Sequence, residues 1–307
     1  MKKFDLSIIK HKKVLLVGGT GFIGQHILAR LLTLGADVTV MALFRPGEYE
    51  GELLSKCNII KGDVSQPVNR KVISETNWNI VINVGGFINQ GQDAQSDIET
   101  FTGHLLHVRE LVSILPNTLE RFVHAGSAVE YGDNPVPHRE DMRERPLTPY
   151  AAAKVAATHY LQMLYRSSGF PSVILRPFFI YGPGQDRGKF LPWAIEQAKA
   201  GYDIRMTAGE QSRDPIHVKD VADAFVRASV IEAAIGEVIN VASGNPITIK
   251  DIASKIEKIA GKGHFLIGSL PYREGEIMRS EADVKKLINI LGILPSSTID
   301  DGISEIL

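Results

Sequence analysis

Lys13-Val14-Leu15-Leu16-Val17 runs directly into Gly18-Gly19-Thr20-Gly21-Phe22-Ile23-Gly24, and this stretch decides the fold. An apolar run of β-branched residues and leucine makes a buried strand. Glycines follow at 18, 21 and 24, then a helical segment to Leu34 that Gly35 stops. A strand, a glycine turn and a helix in that order form the phosphate-cradling turn of a dinucleotide-binding α/β sheet. Gly18 permits the tight turn, Gly21 lets backbone approach a pyrophosphate, and Gly24 lets helix and strand pack closely. The first helical residues, Phe22 and Ile23, offer N–H donors at the positive end of the helix dipole.

The same alternation continues along the chain. Strands are expected at Asp37–Phe44, Asn58–Ile60, Ile80–Val84, Arg121–Ala125 and Ser172–Leu175. Helices are expected at Pro67–Thr76, Asp97–Leu115 and Pro149–Ser168, the last opened by a proline in its first turn. The expected fold class is therefore α/β, a doubly wound parallel Rossmann sheet with helices on both faces. After Arg176 the pattern loosens, with Pro177, Pro183, Gly184, Gly188 and Pro192 reading as loop punctuation. Helices at Val218–Glu232 and Ile249–Ala260 flank a strand at Val238–Val241. The expected division is a dinucleotide-binding unit over 1–177 and a smaller lobe over 178–307, with segments near 213–242 returning to the first unit.

The chain has 307 residues, 44% apolar and 22% charged, with a net charge of −1. That near-neutral balance gives no support to nucleic acid or an anionic membrane as the main partner. The single cysteine, Cys57, rules out an intramolecular disulfide and reads as a buried structural thiol. No apolar run reaches the roughly 18 residues of a membrane span. The first ten residues are too short in their apolar part for a signal peptide. A cytoplasmic protein without a metal site is expected.

The end of the second strand bears on the cofactor. An acidic residue there would bind the ribose 2′-OH and repel a 2′-phosphate, but the position holds Ala42. Arg45 stands close by and could accept a 2′-phosphate. NADP(H) is therefore favoured, with NAD(H) as the alternative. Asp63, followed by Val64, lies after a strand and a glycine, where its carboxylate could accept from an adenine amino group or form a turn.

Tyr150 and Lys154 stand at i and i+4 on the helix after the fifth strand, and so share one face. A phenol with a pKa of ~10 is a poor base at neutral pH. A nearby ammonium and a positive nicotinamide ring favour the phenolate. Tyr150 would then take or give the proton of an alcohol undergoing oxidation or reduction. Lys154 would also hold the nicotinamide ribose. Ser127, just past the fifth strand, would hydrogen-bond the substrate oxygen.

Taken together these motifs resemble an extended short-chain dehydrogenase/reductase of the NAD-dependent epimerase/dehydratase family, which acts on nucleotide-diphosphate sugars. The resemblance runs through Gly18–Gly24, Gly62-Asp63-Val64, Gly126-Ser127 to Tyr131-Gly132, Pro149-Tyr150 to Lys154, Arg176-Pro177 to Pro183-Gly184, Arg213-Asp214-Pro215-Ile216-His217-Val218, Arg273-Glu274-Gly275-Glu276 and Leu291-Gly292. It implies that Arg213 and Arg273 hold the substrate diphosphate, a role suited to the guanidinium fork. It also implies structural roles for Arg176, His217 and Asp220, and a homodimer paired through the helices near Asp97–Leu115 and Pro149–Ser168. A place in surface-glycan or deoxysugar biosynthesis is a further expectation from the family.

Three departures narrow the chemistry. Family dehydratases carry an Asp-Glu pair directly after the Ser/Thr, whereas this chain has Ala128 and Val129, which cannot move a proton. Glu130 follows, and in an extended segment it would point away from the Val129 side. An asparagine usual before Tyr-Gly-Pro is replaced by Phe179, and a usual Ala-Ala pair by Gly85-Gly86, ahead of a polar loop from Phe87 to Ser96. The expected activity is a 4-ketoreductase using NADPH. The alternatives are a C4 epimerase that retains NAD, and a non-catalytic dinucleotide-binding protein.

Overall fold

The computed structural model describes residues 4–43, 52–86 and 93–307. In chain order the strands are β1 (Lys13–Val17), β2 (Asp37–Ala42), β3 (Asn58–Lys61), β4 (Ile80–Asn83), β5 (Arg121–Ala125) and β6 (Ser172–Pro177). Shorter strands follow at β7 (Phe179–Tyr181), β8 (Asp203–Arg205), β9 (Ser212–Arg213) and β10 (Pro215–His217). The last are β11 (Val238–Val241), β12 (Ile247–Thr248), β13 (His264–Leu266) and β14 (Arg279–Ser280). The helices are α1 (Phe22–Thr33), α2 (Pro67–Glu75), α3 (Ala94–Phe101), α4 (His107–Ser113), α5 (Pro149–Ser168), α6 (Phe190–Ala200), α7 (Val218–Ala228), α8 (Ile249–Ala260), α9 (Lys285–Leu291) and α10 (Ile299–Ile306).

Seven parallel strands make the main sheet in the order β11-β6-β5-β4-β1-β2-β3. The chain moves outward from β1 in one direction, then returns to build the other half from β4. The reversal between β1 and β4 is the switch point at which such sheets bind ligands. Strand alternation feeds two cores. Val14, Leu16, Ile80, Ile82, Val123, Ala125, Val173 and Leu175 face a core with α1 and α7. Leu15, Val81, Phe122 and Ile174 face the opposite core, with Val108, Leu111 and Leu161. Burial on both faces explains why these strands read as continuous apolar runs. A third core joins Leu191, Ile195 and Ala198 of α6 to Ile252 and Ile256 of α8 and Ile303 of α10. Among the described residues, no helix is long and apolar enough to cross a membrane.

Several boundaries differ from the sequence reading. The second strand ends at Ala42, and Phe44 lies outside the described residues. The helix expected over Asp97–Leu115 starts earlier, at Ala94, where Asp93 caps it through Ser96 N. It is interrupted by a π-turn at Thr102–Leu106. The helix from Val218 stops at Ala228, and Glu232–Ala234 forms a separate short turn. Helix α6 was read as loop because of Pro192. That proline occupies the first turn, where an N–H has no intrahelical acceptor to lose. Cys57 is half-buried against the α1 side of the sheet, and burial pushes its thiol up.

The double-sided core sets a stability prediction. Leu16 is fully buried between strands while Val68 on α2 is 67% exposed. Leu16→Ala is expected to lower unfolding free energy by about 2–5 kcal/mol, and Val68→Ala by no more than about 0.5 kcal/mol. Urea denaturation of the two variants checks this.

Candidate active site

The cradle is built from close backbone approaches. A Cβ on Gly18, whose φ is +80°, would stand 2.7 Å from the Gly85 Cα, so the loops after β1 and β4 touch only because residue 18 is glycine. Asn83, the last residue of β4, accepts from Gly85 N at 3.1 Å and holds that loop. A Cβ on Gly24 would overlap the Gly18 carbonyl, which fixes α1 tightly against its own turn. Helix α1 begins at Gly21 without a side-chain cap, so its first N–H groups remain available to a ligand. Gly18, Gly21, Phe22, Ile23 and Gly24 line a cavity of about 660 Å³. An uncapped helix start and side-chain-free turn fit the pyrophosphate of a dinucleotide.

The opposite wall of this cavity carries Ser127, Tyr150 and Lys154. Helix α5 positions the last two. Thr148 caps it by accepting from Ala151 N at 3.1 Å, Pro149 opens it, and Gly169 ends it in the left-handed conformation. Lys154 is buried, and its Nζ donates to the Ala125 carbonyl at the end of β5, 2.8 Å away. The ammonium lies 5.8 Å from the centre of the Tyr150 ring. Burial lowers Lys154 to about 8, opposed by the charge of Glu130. Burial raises Tyr150 to about 12, against a hydrogen bond with Ser127 that lowers it. In the protein alone Tyr150 is therefore a neutral phenol, contrary to the lowering expected from Lys154. Desolvation of the phenolate outweighs the ammonium, which is directed at Ala125.

The segment after Ser127 is not extended. Ser127 caps a short 3₁₀ turn over Ala128–Tyr131, and Glu130 reaches back to accept from Ser127 N at 2.7 Å. Glu130 does point away from the cavity, but because it is folded under the turn and fully buried. There it receives Nε and Nη2 of Arg176 at 2.9 and 2.7 Å and the Thr158 hydroxyl at 3.0 Å. Arg176 Nη2 also donates to Glu144 at 2.6 Å, and the guanidinium lies 4.7 Å from the centre of the Tyr131 ring. The structural role expected of Arg176 is this buried ion pair.

Other candidate residues lie elsewhere. Arg45 is outside the described residues, as are residues 87–92 of the polar loop. Asp63 accepts from Ser65 N at 2.8 Å in a turn, and Val64 is packed in the core, so neither lines the cavity. Arg213 donates through Nη1 to the carbonyls of Ser212 and Ile277 and through Nη2 to Glu276 at 2.7 Å. Arg273 is exposed in the loop between β13 and β14. Neither arginine lines the cavity. Asp214, next to Arg213 in the chain, accepts from Ser243 N, Ser243 Oγ, Gly244 N and Ala282 N. His217 caps α7 through Lys219 N.

Sequence reasoning missed part of the wall. His104, on the π-turn, packs edge-on against Tyr150 with centroids 5.0 Å apart. Gly86, with φ +144°, leaves the room that ring needs. A helical histidine has no sequence signal that separates it from an ordinary surface position. Gln185, Lys189 and Phe190 also line the cavity from the start of α6 and the loop before it, beside Phe179, which the sequence does single out.

A doubly wound sheet with a glycine cradle facing a Ser–Tyr–Lys set is the architecture of the extended short-chain dehydrogenases/reductases. Residues 14–242 match the model of the NAD dependent epimerase/dehydratase family, and the chain belongs to that family. It is 28% identical over 307 residues to the UDP-glucose 4-epimerase of Mycolicibacterium smegmatis, covering 95% of this chain and 96% of the relative. Among solved structures it resembles the UDP-N-acetylglucosamine 4-epimerase of Methanobrevibacter ruminantium M1 in complex with UDP-N-acetylmuramic acid. That match has 26% identity and a TM-score of 0.86, covering 96% and 98% of the two chains. It also resembles the UDP-glucuronic acid 4-epimerase of Bacillus cereus in complex with UDP-glucuronic acid and NAD. Here identity is 26% and the TM-score 0.83, with 95% and 97% covered.

The buried ammonium has a measurable cost. Lys154 falls from 10.5 to about 8 on folding, so the unfolded chain binds more protons between those values. The penalty is complete below about pH 8 and relieved as pH rises toward 10.5. Lys154→Met is expected to be more stable than wild type at pH 7 by at most roughly 3 kcal/mol, less the cost of leaving the Ala125 carbonyl without its donor. That difference should shrink across the alkaline window, as read by urea denaturation at stepped pH.

Proposed function

We propose that the protein is a nucleotide-sugar C4 epimerase that retains NAD and acts on a uridine-diphosphate sugar. The carrying observation is that Ser127, Tyr150 and Lys154 share one cavity with the glycine cradle, while Ala128 and Val129 offer no acid–base pair for dehydration. The 4-epimerase relatives and the NAD and UDP-sugar of the Bacillus cereus complex support this over a 4-ketoreductase.

Gly18, Gly21, Phe22, Ile23 and Gly24 would hold a nicotinamide dinucleotide, which would supply reversible hydride transfer at sugar C4. Tyr150, as the phenolate left once its own proton has passed to solvent, takes the C4 hydroxyl proton during oxidation and gives it back during reduction. Ser127 hydrogen-bonds the same oxygen and keeps it within reach of the phenol. Lys154 holds the nicotinamide ribose and favours the phenolate at the moment of proton transfer. Arg213 and Arg273 bind the diphosphate, Arg213 by exchanging its Glu276 partner. The sugar turns between the two half-reactions, so hydride would return to the opposite face of C4 while the C4 oxygen stays within reach of Tyr150 and Ser127. A homodimer would pair α3–α4 with α5, where Ile98, Leu106, Met163 and Tyr165 are exposed.

A second reading, a 4-ketoreductase using NADPH, is favoured by Ala42 at the end of β2, where no carboxylate opposes a 2′-phosphate. Denaturing the purified protein and identifying the released dinucleotide separates the two. Stoichiometric NAD, with interconversion of a UDP-sugar and its C4 epimer, is expected. A protein that releases none and binds NADPH more tightly than NADH would move the assignment to the reductase. Tyr150→Phe is expected to cut turnover by about 10²–10⁴-fold with the substrate KM little changed. Tight dinucleotide binding without turnover of any nucleotide sugar would leave a binding protein.

A further inference from the structure

Glu130 is the one fully buried carboxylate beside the Ser–Tyr–Lys set among the described residues, and the chemistry above gives it no task. Its contacts reach every element that carries that set. One oxygen takes the N–H of Ser127, and the other takes the hydroxyl of Thr158 and two guanidinium donors of Arg176 on β6. Thr158 stands one helical turn beyond Lys154 on α5, on the same face. Gly126 is also required, because a Cβ there would press on the Glu130 carboxylate. We propose that Glu130 is a positioning residue that ties Ser127 to the helix face bearing Tyr150 and Lys154 and sets a buried carboxylate beneath that face.

The charges around these groups are defined. Lys154 is faced by Glu130 from the turn below, by Tyr150 from its own helix and by His124 from β5, with His104 from the π-turn packed on Tyr150. Burial, with the Lys154 charge second, holds His124 well below the ordinary histidine range, so it brings no positive charge. Glu130 is faced by Arg176, beyond which stand Glu144, His159 and Tyr131, with Glu140 acting on Tyr131, and the Glu130 charge also helps to raise Tyr150. Arg176 is shared between two carboxylates, so its single charge does not cancel Glu130 alone. Glu130 opposes the burial penalty on Lys154, and its loss would drop that lysine further. An ion pair serving only the fold would leave Lys154 indifferent to the charge at residue 130.

This inference rests on the assigned roles of Tyr150 and Lys154, and its test separates the two. Lysine labelled with ¹³C at Cε reports the Lys154 titration by NMR in the purified protein, with the resonance assigned by Lys154→Arg. Glu130→Gln is expected to lower the Lys154 midpoint by about one pH unit or more. Glu130→Asp keeps the charge one methylene farther away and is expected to fall between the two. It carries the test if the glutamine variant does not fold by circular dichroism. With nucleotide sugar, Glu130→Gln is expected to lose about tenfold or more in kcat with KM within about threefold. The alkaline limb of its pH profile should move to lower pH with the NMR midpoint. A Lys154 midpoint equal to wild type in the folded variants overturns the proposal, even if their thermal stability falls. A wild-type protein inert toward nucleotide sugars would overturn the functional reading alone, because the NMR titration needs no turnover.

Discussion

The contact between Gly18 and Gly85 is the constraint on which the site depends. Two parallel strands deliver their carboxyl ends side by side at the reversal of the sheet, and a side chain at residue 18 would hold the loops apart. With no Cβ on Gly18, the backbones meet and Asn83 fixes the second loop by its own side chain. The first loop can then face the cavity with N–H groups rather than side chains. Gly24 completes the arrangement by letting α1 begin directly behind it. The position of the cradle relative to β5, and so to Ser127 and Lys154, follows from strand order alone.

The electrostatics of the opposite wall are held against the preference of each group. Lys154 is buried and lowered, Tyr150 is buried and raised, and His124 is kept neutral beneath them. Such clustering of disfavoured ionisations is expected at sites that move protons, where a group must change state easily. What stabilises the arrangement lies below it, in the Glu130–Arg176–Glu144 chain that crosses from the turn to β6 and the loop before α5. A buried ion pair adds little net stability, so its value here is in orientation. It has three well-directed hydrogen bonds into one oxygen and one into the other, which a hydrophobic pair could not reproduce.

Much of this was legible in the residues. The run from Lys13 to Gly24 gives the first strand, turn and helix, and the apolar runs at 80–84, 121–125 and 172–175 give three more strands of the sheet. Tyr150 and Lys154 fall on one helix face because spacing alone decides it. Other features were not legible because they depend on contacts distant in sequence. Glu130 reads as an extended-strand residue until Ser127 is seen to cap a turn and Arg176 is seen beneath it. Pro192 reads as a break until α6 is seen to start at Phe190. The choice between epimerase and reductase was not legible either, since one Ser–Tyr–Lys set performs both. Phe22, Ile23 and the glycines come together in the cavity, whereas Asp63, Arg213 and Arg273 are engaged or placed elsewhere in the protein alone.

The π-turn at Thr102–Leu106 has a geometric consequence for the wall it builds. Ser96, Thr100, His104 and Val108 are buried at intervals of four. On a regular α-helix each such step turns about 40° past a full revolution, so a stripe of this spacing would wind around the rod and leave its neighbour. The wider turn takes up that excess rotation in the middle of the stripe. One continuous face can then pack small polar residues against α5, present an imidazole to Tyr150, and return to apolar packing on the sheet. The irregularity is thus a phase correction. It lets a single helical rod serve both as a structural brace and as a side of the catalytic chamber.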